Sequence, residues 1–565
     1  MVTAALPQSL SELEVLIVDC QTTGASPARG SVLELGWCIS RASDPERQRT
    51  AEAHWIRPRA GERISAPVRQ LTGFDESLLA EALSPEEAWR RLCRLLPHAR
   101  PMPAAIHFAR FELSFLRDWS ERFEPKSPFP IDAVCVHAIA CRLFPDLPRR
   151  NLRALAGFLG HGLHLERRSL GHVQATAFIW RRLVEALAGQ GVHTWQELTS
   201  WLNAPERRAT PRKRRYPLPP ARYRALPDAP GVYRFLRSNG DVLYVGKATS
   251  LKKRVSSHFT KRSGATERAL EMLTQVSDIA FDVTSSALEA ALLETQTIKH
   301  VNPPYNVQLM QGQRGVWFTS ADFGSVSPEP DATHRHGPLS SRFSVRSLGA
   351  LAELLAGEPQ TPWRRAAAVG APARWAPDEA SFAEGFAAFL DRHAATLATA
   401  PDPRRKALVL ARQLLLLSDI ETETDPEGEP ESTPSVWDGA RVLRHLERTI
   451  AQSFQVLRRA AWLCRLSSSV VSYREPGSTS ARFLILEDAN LIDSGNLAED
   501  TVLPIPKPSA RLRAQQSFDA ARYDSLRILS TELKRIQRDG GAVTVRLSRS
   551  RTLSGTALAA VLSLT

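Results

Sequence analysis

Two tyrosines and a lysine stand on two neighbouring apolar runs near the middle of the chain. The first run is Gly231-Val232-Tyr233 and the second is Tyr244-Val245-Gly246-Lys247. Between them, Ser238-Asn239-Gly240 is typical of the tight turn of a β-hairpin. Because a hairpin pairs its strands side by side, we expect the two phenols and the lysine ammonium group to converge on one spot.

The helix predicted at 249–259 carries a guanidinium and an imidazole on one polar face. Its apolar stripe has the spacing of a buried helix side and consists of Leu251, Val255 and Phe259. Arg254 and His258 are also four residues apart and share a different face. A guanidinium can hold a phosphate in a bidentate grip, and backbone donors at the helix N-terminus would strengthen such an anion site.

A second helix, predicted at 286–300, carries two glutamates whose expected roles differ. Ser286 and Glu289 have the spacing of a capping box, so we expect Glu289 to be structural. Glu294 instead lies on a face that is otherwise apolar. Its neighbours on that face are Ala290, Ala291 and Ile298. Because a carboxylate on an apolar face is costly without compensation, Glu294 indicates a hard divalent cation, Mg²⁺ or Mn²⁺, as its partner.

Together these groups could hydrolyse a phosphodiester. The cation would polarise the phosphate, the cationic side chains would stabilise developing charge, and a phenol or imidazole would handle the proton. An unperturbed tyrosine, with a pKa of about 10, is a poor base at neutral pH, so Tyr233 would need Lys247, the metal or Tyr244 to favour its phenolate. Taken singly, the two tyrosines are more simply packing residues and Arg254 a solvated charge. Only the ordered set favours catalysis.

The ordered set resembles the motifs of the GIY-YIG nuclease superfamily, most closely the N-terminal nuclease of the C component of excinuclease ABC and its short relative Cho. The segments that carry the resemblance, beyond the two apolar runs, are Leu251-Lys252-Lys253-Arg254-Val255, Ala291-Leu292-Leu293-Glu294, Ile298-Lys299 and Pro304-Tyr305-Asn306. One departure is His258, which stands where the excinuclease component commonly has tyrosine.

The resemblance implies a role for each of these residues. It implies that Tyr233 acts as the general base and that Glu294 binds a single divalent metal, Mg²⁺ or Mn²⁺. It further implies that Arg254 and Lys247 hold the phosphate. The remaining family positions, which support the site and order its edge, are Tyr244, His258 and Asn306.

The first part of the chain resembles DEDD-type 3′–5′ exonucleases, in particular the proofreading epsilon subunit of the bacterial replicative polymerase. Asp19-Cys20-Gln21-Thr22-Thr23-Gly24 follows a predicted strand where that family has Asp-x-Glu-Thr-Thr-Gly. Glu112 stands where aspartate is usual. Arg167 and His172 fall where the family pattern is His-x-x-x-x-Asp. The resemblance implies an RNase H-like exonuclease fold.

The exonuclease chemistry of this site is expected to be lost. A two-metal clamp needs several carboxylates, and Gln21 and His172 each remove one. An imidazole is a poor Mg²⁺ ligand. Arg167 replaces the presumed histidine base and cannot release its proton. We predict a retained fold and nucleic-acid groove without processive activity. The alternative is weak one-metal activity through Asp19 and Glu112.

Changes in composition and pattern along the chain indicate an α/β multidomain protein with a helix-rich C-terminal region. Residues 206–224 hold eight basic residues and one acidic residue among several prolines, which indicates an exposed, semi-rigid linker. Acids alternating with Pro and Gly indicate a disordered loop at 419–434. The predicted parts are an exonuclease-like domain at 1–205, the linker, a small α+β GIY-YIG domain at 225–310, a helix-rich region at 311–418, the acidic loop and an α+β region at 435–565.

The charge of the chain favours a polyanionic partner. Its 565 residues include 73 Lys and Arg against 60 Asp and Glu, a net charge of +13. The basic side chains expected to contact nucleic acid are Arg212, Lys213, Arg214 and Arg215, beside the nuclease motifs. We therefore predict DNA as the partner, with a damage-recognition or replication protein as a second candidate.

Other sequence features place the protein in the cytoplasm without a membrane partner. No apolar run reaches the ~18 residues that a bilayer crossing needs, and the N-terminus lacks the pattern of a signal peptide. Six cysteines without a Cys-x-x-Cys pair fit a reduced cytosol and indicate neither a zinc site nor a disulfide framework.

The predicted function is that of a metal-dependent DNA endonuclease that makes a single-strand incision by phosphodiester hydrolysis, in a process resembling nucleotide-excision repair. Two alternatives stay open. One is a non-catalytic DNA-binding or scaffold protein built on two nuclease folds, and the other is a residual 3′–5′ exonuclease. The sequence of residues 311–565 contains no motif that suggests a role.

Overall fold

The structure, a computed structural model, describes residues 8–44, 51–162, 168–205, 215–260, 266–307, 315–417, 437–498, 502–507 and 511–563. The chain forms two compact units. The first comprises Met1–Val283 with Pro303–Tyr305, and the second comprises Thr284–Asn302 with Asn306–Thr565.

A mixed five-stranded sheet lies at the centre of the N-terminal part of the first unit. Its strands are β1 (Glu14–Thr22), β2 (Val32–Arg41), β3 (Glu52–Trp55), β4 (Met102–Ile106) and β5 (Ile131–Cys135). The order is β3-β2-β1-β4-β5, with β1 antiparallel to β2 and parallel to β4. Alternate residues of β1 enter two different apolar cores, Val15 and Ile17 one and Leu16 and Val18 the other, which explains its continuous apolar run.

Helices cover this sheet and confirm the predicted α/β class. They are α1 (Ala66–Thr72), a 3₁₀ helix (Glu76–Ala80), α2 (Pro85–Cys93), α3 (Ala109–Phe123), α4 (Val136–Leu143), α5 (Leu152–Phe158), α6 (Ser169–Ala188) and α7 (Trp195–Asn203). The sequence pattern predicts helices at 86–97 and 173–187, which correspond to α2 and α6. Ser84 caps α2 by accepting a hydrogen bond from the Glu87 backbone N–H.

A three-stranded antiparallel sheet follows in the same unit. Its elements are α8 (Pro220–Arg224), β6 (Gly231–Leu236), β7 (Val242–Ala248), α9 (Leu251–Thr260), α10 (Glu267–Gln275) and β8 (Asp278–Val283), with sheet order β7-β6-β8. The predicted hairpin is present, and Gly240 supplies its positive φ of 89°.

The described end of the predicted linker, residues 215–224, is not exposed throughout. Leu218 and Tyr223 are buried in the same core as Tyr233, and the Tyr223 ring stacks on Phe259 with centroids 4.9 Å apart. The prolines that suggested a spacer instead bracket a short helix, since proline is favoured in a first helical turn. The expectation of an exposed segment therefore fails there.

Helix α5 of the N-terminal sheet packs against α10 of the second sheet within this unit. Asn151 Nδ2 donates to Glu271 Oε2 at 2.7 Å, and the Arg149 backbone N–H donates to Thr274 Oγ1 at 3.2 Å. A Cβ atom at Gly157 would lie 2.0 Å from Gln275 Oε1, so the close approach of the two helices needs glycine. These contacts join the two sheets independently of the chain that links them.

The second unit is rich in helices, as predicted. They are α11 (Ala287–Val301), α12 (Arg346–Leu355), α13 (Pro362–Ala368), a 3₁₀ helix (Ala373–Trp375), α14 (Glu379–Arg392), α15 (Ala394–Leu397), α16 (Pro403–Leu417), α17 (Gly439–Leu466), α18 (Arg511–Gln516), α19 (Ala520–Arg538) and α20 (Gly555–Ser563). The sequence pattern predicts one helix over 379–397, but the helix breaks at buried His393, whose Nε2 lies 3.0 Å from Glu447 Oε1.

Two sheets complete the second unit. The smaller sheet is formed by β9 (Trp317–Ser320), β10 (Val326–Ser327) and β11 (His334–Leu339), in the order β10-β9-β11. The larger sheet is formed by β12 (Val470–Arg474), β13 (Ala481–Glu487), β14 (Asn490–Leu497), β15 (Ala542–Arg546) and β16 (Thr552–Ser554), in the order β14-β13-β12-β15-β16. Of these strands the sequence predicts only β15, from the run Ala542-Val543-Thr544-Val545 after Gly540-Gly541. Strand β14 is an exposed edge without an apolar face, so its pattern carries little signal. Within the described residues, no helix has the length and apolar character to span a membrane.

Candidate active site

Strands β6 and β7 place Tyr233 directly opposite Gly246. A Cβ atom at Gly246 would lie 2.6 Å from Tyr233 Oη and 2.7 Å from its Cζ, so only glycine leaves room for the phenol. A Cβ atom at Gly231 would likewise meet the Asp282 backbone oxygen at 2.3 Å. Both glycines of the paired motifs therefore have steric roles: Gly246 makes room for the Tyr233 ring, and Gly231 allows the close approach of the β8 backbone.

The phenol of Tyr233 is hydrogen-bonded to an imidazole. Tyr233 Oη lies 2.7 Å from His258 Nε2, and the Tyr233 side chain is fully buried. His258, on α9, is only half-buried. The Tyr244 ring lies 6.1 Å from the Tyr233 ring and 6.2 Å from the His258 ring. The structure thus brings these three predicted residues together, with the imidazole as the partner that sequence analysis did not pair with Tyr233.

Helix α9 has the two faces that the sequence predicted. Its buried stripe consists of Leu251, Val255 and Phe259. Arg254 lies one turn before His258 and is exposed. Lys247, also exposed, pairs with Val232 in the β6–β7 register, next to Tyr233. Two cationic side chains therefore extend to solvent from the elements that hold the Tyr233–His258 pair.

The two remaining predicted residues, Glu294 and Asn306, belong to the second unit. Glu294 is partly exposed on α11, and Asn306 is buried. Ser286 caps α11 by accepting from the Glu289 backbone N–H, as expected. The Glu289 carboxylate does not complete a capping box; it pairs with Arg482 at 2.6 Å and accepts from the Ser285 backbone N–H. Glu289 is therefore structural, as predicted, through an ion pair that the sequence did not indicate.

A buried polar network fixes the residue before Asn306. The Tyr305 hydroxyl donates to Glu271 Oε1 at 2.6 Å and accepts from Gln275 Nε2 at 2.6 Å. Gln275 Oε1 in turn accepts from buried Arg237, just after β6. Sequence analysis missed this network, because only long-range packing brings the three segments together.

The predicted exonuclease residues that the structure describes also converge. Asp19 and Gln21 on β1, Glu112 on α3 and His172 on α6 line one cavity of about 340 Å³. The other lining residues are Cys20, His107, Phe108, Asn151, Leu152 and Arg153. Of the latter, His107 and Phe108 belong to the stretch Ala105-Ile106-His107-Phe108-Ala109-Arg110-Phe111-Glu112, which also resembles the exonuclease family but suggested no role for them, while Asn151 and Arg153 were missed.

One carboxylate in this cavity is paired with an imidazole. His172 Nδ1 lies 3.3 Å from Asp19 Oδ1 and 3.4 Å from Gln21 Nε2. Burial opposes protonation of His172, but the hydrogen bond and charge of Asp19 outweigh it and raise the pKa of the imidazole. Burial, and then the charge of Asp19, raise the pKa of Glu112 well above its usual range. Burial lowers the pKa of His107 to about 3, and neither of its ring nitrogens has a hydrogen-bond partner among the described residues.

This donor set does not fit a two-metal centre. One carboxylate is bound to an imidazole, the other is buried in an environment that favours its protonated form, and Gln21 brings no charge. In the part of the chain that the structure describes, no group of three or more His, Cys, Asp or Glu side chains could hold a metal ion. The loss of exonuclease activity from this cavity stays a prediction.

Four predicted residues lie outside the described residues. They are Arg167, Arg212, Lys213 and Arg214. Arg215 is described and exposed, and its backbone N–H donates to the Asp146 backbone oxygen at 3.0 Å. Arg168, which follows Arg167 in the chain, forms a 2.6 Å ion pair with fully buried Glu34 on β2, and its guanidinium lies over the Trp55 ring. This anchor at the start of α6 was not foreseen.

Comparisons with known proteins found similar sequences for the segment that carries the central motifs. The family model of the UvrC-like GIY-YIG domain matches residues 229–307. A Mycobacterium tuberculosis protein, named as a bifunctional exonuclease/endonuclease, is 28% identical over 365 residues, which cover 62% of this chain and 53% of that protein. The UvrABC system protein C of Alkalilimnicola ehrlichii is 50% identical over 135 residues, 23% of this chain and 22% of that protein.

Among solved structures, the GIY-YIG N-terminal endonuclease domain of UvrC from Thermotoga maritima, bound to its catalytic divalent cation magnesium, is 31% identical. The match covers 15% of this chain and 93% of that domain, with a TM-score of 0.14. The chain spans about half or less of the length of the curated relatives it matches. The resemblance inferred from the sequence motifs is confirmed, and residues 229–307 are a GIY-YIG nuclease domain of the UvrC type.

Proposed function

We propose that this chain is a divalent-metal-dependent DNA endonuclease that makes a single-strand incision by hydrolysing a phosphodiester bond. The observation that carries the proposal is the 2.7 Å contact between Tyr233 Oη and His258 Nε2, on elements that the UvrC-like family model spans throughout. A phenol and an imidazole in contact beside exposed cations have the chemistry needed to move a proton and bind a phosphate.

The Tyr233–His258 pair accepts the proton of the attacking water. A phenol is a poor base near neutral pH, whereas an imidazole exchanges protons readily there. Because Tyr233 is fully buried and His258 is half-buried, the imidazole is the member that faces the water. Tyr233 orients the ring and shares the proton through their hydrogen bond. This assignment refines the expectation that Tyr233 alone is the base.

The exposed cations bind the scissile phosphate. Arg254 offers a bidentate grip on two phosphate oxygens, and Lys247 adds a point charge from the neighbouring strand. Both stabilise the charge that develops as water attacks phosphorus. Tyr244, whose ring lies near both members of the pair, supports the site by packing and excludes water from its inner side.

Glu294 holds Mg²⁺ or Mn²⁺, and Asn306 orders the edge of the site. A single carboxylate suits Mg²⁺, which keeps several waters and is otherwise bound by substrate phosphates. When bound, the cation polarises the phosphate and lowers the pKa of coordinated water. Glu294 itself is partly exposed on α11.

DNA is the proposed substrate. The net charge of +13 and the basic run that includes Arg212, Lys213, Arg214 and Arg215 favour a polyanion. Similarity to proteins named UvrABC system protein C supports a role in repair that resembles nucleotide excision. In that setting a damage-recognition protein would deliver the nuclease to its site, and the N-terminal fold would bind DNA without cutting it.

Glu294→Ala and Asp19→Ala, compared on one substrate, test the proposal. A duplex carrying a bulky lesion or a nick, labelled at the 5′ end of either strand, is incubated with Mg²⁺ or Mn²⁺. We expect one internal cut in wild type and Asp19→Ala, and a loss of at least about 100-fold in Glu294→Ala.

The other functions give different products. A residual exonuclease would release single nucleotides, lose them in Asp19→Ala and keep them in Glu294→Ala. A scaffold would bind the duplex in a salt-sensitive way and cut it in none of the three proteins. Equal internal cutting by wild type and Glu294→Ala would refute the assignment of Glu294.

A further inference from the structure

Helix α11, which carries Glu294, is built into the apolar core of the second unit. Leu288 and Leu292 are buried in the same cluster as Trp462 of α17, and α11 packs along α19. The helix that provides the proposed metal ligand therefore shares a core with the region whose role the sequence left open.

Helical geometry places the contacts of α11 on the side opposite Glu294. Each residue turns an α-helix by about 100°, so Leu288 and Leu292 lie about 120° and 160° around the axis from Glu294. Glu289 and Lys299 each lie five residues away, about 140° to either side. The back of the helix is thus the face that the second unit holds.

At the start of α11, two contacts fix the helix to the large sheet of the second unit. Ser286 Oγ lies 2.8 Å from the hydroxyl of Tyr473 on β12. The Glu289 carboxylate pairs with Arg482 on β13 at 2.6 Å. Burial raises the pKa of Tyr473 to about 12, so its hydroxyl stays neutral and can serve Ser286 as a partner.

Near the end of α11, a buried ion pair fixes the helix to α19. Lys299 Nζ lies 2.6 Å from Asp524 Oδ2, and the side chains are only 13% and 4% exposed. A charge that loses its partner in such a place stays uncompensated, so the pair resists both rotation and sliding of the helix. Since an α-helix rises 1.5 Å per residue, Glu289 and Lys299 each lie about 7.5 Å along the axis from Glu294.

We propose that the second unit positions Glu294 for metal binding, with Asp524, Arg482 and Tyr473 as positioning residues. Two anchors at equal spacing on the back of α11 fix the rotation and height of the carboxylate. Because Mg²⁺ demands near-ideal octahedral geometry, a small displacement of its protein ligand weakens binding. The region after the nuclease motifs thus sets the affinity of the nuclease for its cation, an inference that rests on the proposed role of Glu294.

Asp524→Asn tests this coupling through the metal dependence of cutting. We expect the Mg²⁺ concentration for half-maximal cutting to rise about tenfold, since residues that orient a metal ligand typically change metal affinity by 10- to 100-fold. The rate at saturating Mg²⁺ should stay within about threefold of wild type. Asp524→Glu, which keeps a carboxylate, should show the wild-type dependence of cutting on Mg²⁺. Tyr473→Phe is a milder change and should give a smaller rise in the Mg²⁺ concentration for half-maximal cutting.

The matched control is Glu353→Gln, which removes a 2.6 Å ion pair with Arg364 on other helices of the same unit. Its metal dependence should equal that of wild type at a comparable melting temperature. If Asp524→Asn and Tyr473→Phe keep the wild-type metal dependence, or lower the rate equally at every Mg²⁺ concentration, the positioning role is wrong.

Binding of Mn²⁺ to the full chain, followed by electron paramagnetic resonance, separates this inference from the proposed function. Absence of cutting in wild type refutes the endonuclease assignment alone. Mn²⁺ binding that Glu294→Ala abolishes and Asp524→Asn weakens about tenfold still supports positioning. Mn²⁺ binding that is equal in Asp524→Asn and wild type, or independent of Glu294, overturns it.

Discussion

The N-terminal cavity and the Tyr233 site both place an imidazole against an acidic group, with opposite consequences. In the cavity, His172 contacts the Asp19 carboxylate at 3.3 Å and neutralises a charge that could hold a cation. In the nuclease domain, His258 contacts the phenol of Tyr233 at 2.7 Å, and the neighbouring cations Lys247 and Arg254 are exposed. The same type of side chain is thus paired with a carboxylate in one site and with a phenol in the other.

The two sites thus differ in the partner of the imidazole, and we predict that only the second one cuts DNA. The strand and helices that line the cavity are packed in two apolar cores. The chemical difference between the two sites lies in a few polar side chains. Mutations that exchange or remove these groups therefore show which of the two regions cuts.

The largest expected effect comes from Tyr233→Phe compared with Glu112→Gln. Phenylalanine keeps the packing of the buried ring but removes the hydroxyl bonded to His258, so we expect cutting to fall by about 10²- to 10⁴-fold. Glu112→Gln should leave the rate within about twofold, because the N-terminal cavity takes no part in the chemistry. The rates are measured with saturating Mg²⁺ on the nicked or lesion-bearing duplex. The reverse pattern would place the chemistry in the N-terminal cavity.

A smaller effect is expected from Gly246→Ala. It tests whether the space left by this glycine positions Tyr233 against His258. The added methyl would lie 2.6 Å from Tyr233 Oη, so the phenol must shift away from His258. We expect a loss of up to about 3 kcal/mol in the free energy of unfolding and more than tenfold in cutting. Urea unfolding and the cutting assay measure the two losses.

Gly189→Ala is the control for that substitution. Gly189 is exposed after α6, has a φ of −65°, and a Cβ atom there would approach no neighbour closer than 3.4 Å. Unfolding and cutting should both match wild type. If Gly246→Ala is equally silent, the glycine is not what positions Tyr233.

The sequence predicted best what rests on local spacing. The hairpin, the two faces of α9, and the cap at Ser286 depend on residues close in the chain, so turn and periodicity rules suffice. The convergence of Asp19, Glu112 and His172 was also foreseen, through family resemblance rather than spacing.

The sequence did not predict what rests on distant packing. The bond between Tyr233 and His258 joins a strand to a helix 25 residues later. The pairs Lys299–Asp524 and Glu289–Arg482 join segments about 200 residues apart, and no local pattern identifies one charged residue as the partner of another. For the same reason, Tyr223 was assigned to an exposed linker although its ring is buried on Phe259.

The smallest expected effect is on the free energy of unfolding at acidic pH. His107→Phe, in the N-terminal cavity, tests it. Burial lowers the pKa of His107 to about 3, whereas a histidine in an unfolded chain has a pKa of about 6.5. Between these values the unfolded state binds more protons, so His107 costs stability as the pH falls from about 6.5 towards 3. At pH 5 the cost is about 2 kcal/mol.

Phenylalanine cannot be protonated and gives up no hydrogen bond, since both ring nitrogens of His107 lack a partner within the described part of the chain. The loss of unfolding free energy between pH 7.5 and pH 5.0, measured with urea, should therefore be about 2 kcal/mol smaller in His107→Phe than in wild type. His98→Phe, at an exposed position, should leave that difference unchanged. Cutting at neutral pH should be the same in all three proteins, because the proposed endonuclease chemistry does not involve the cavity. A loss of cutting in His107→Phe alone would mean that the cavity contributes to the chemistry, and the contrast between the two sites would no longer hold.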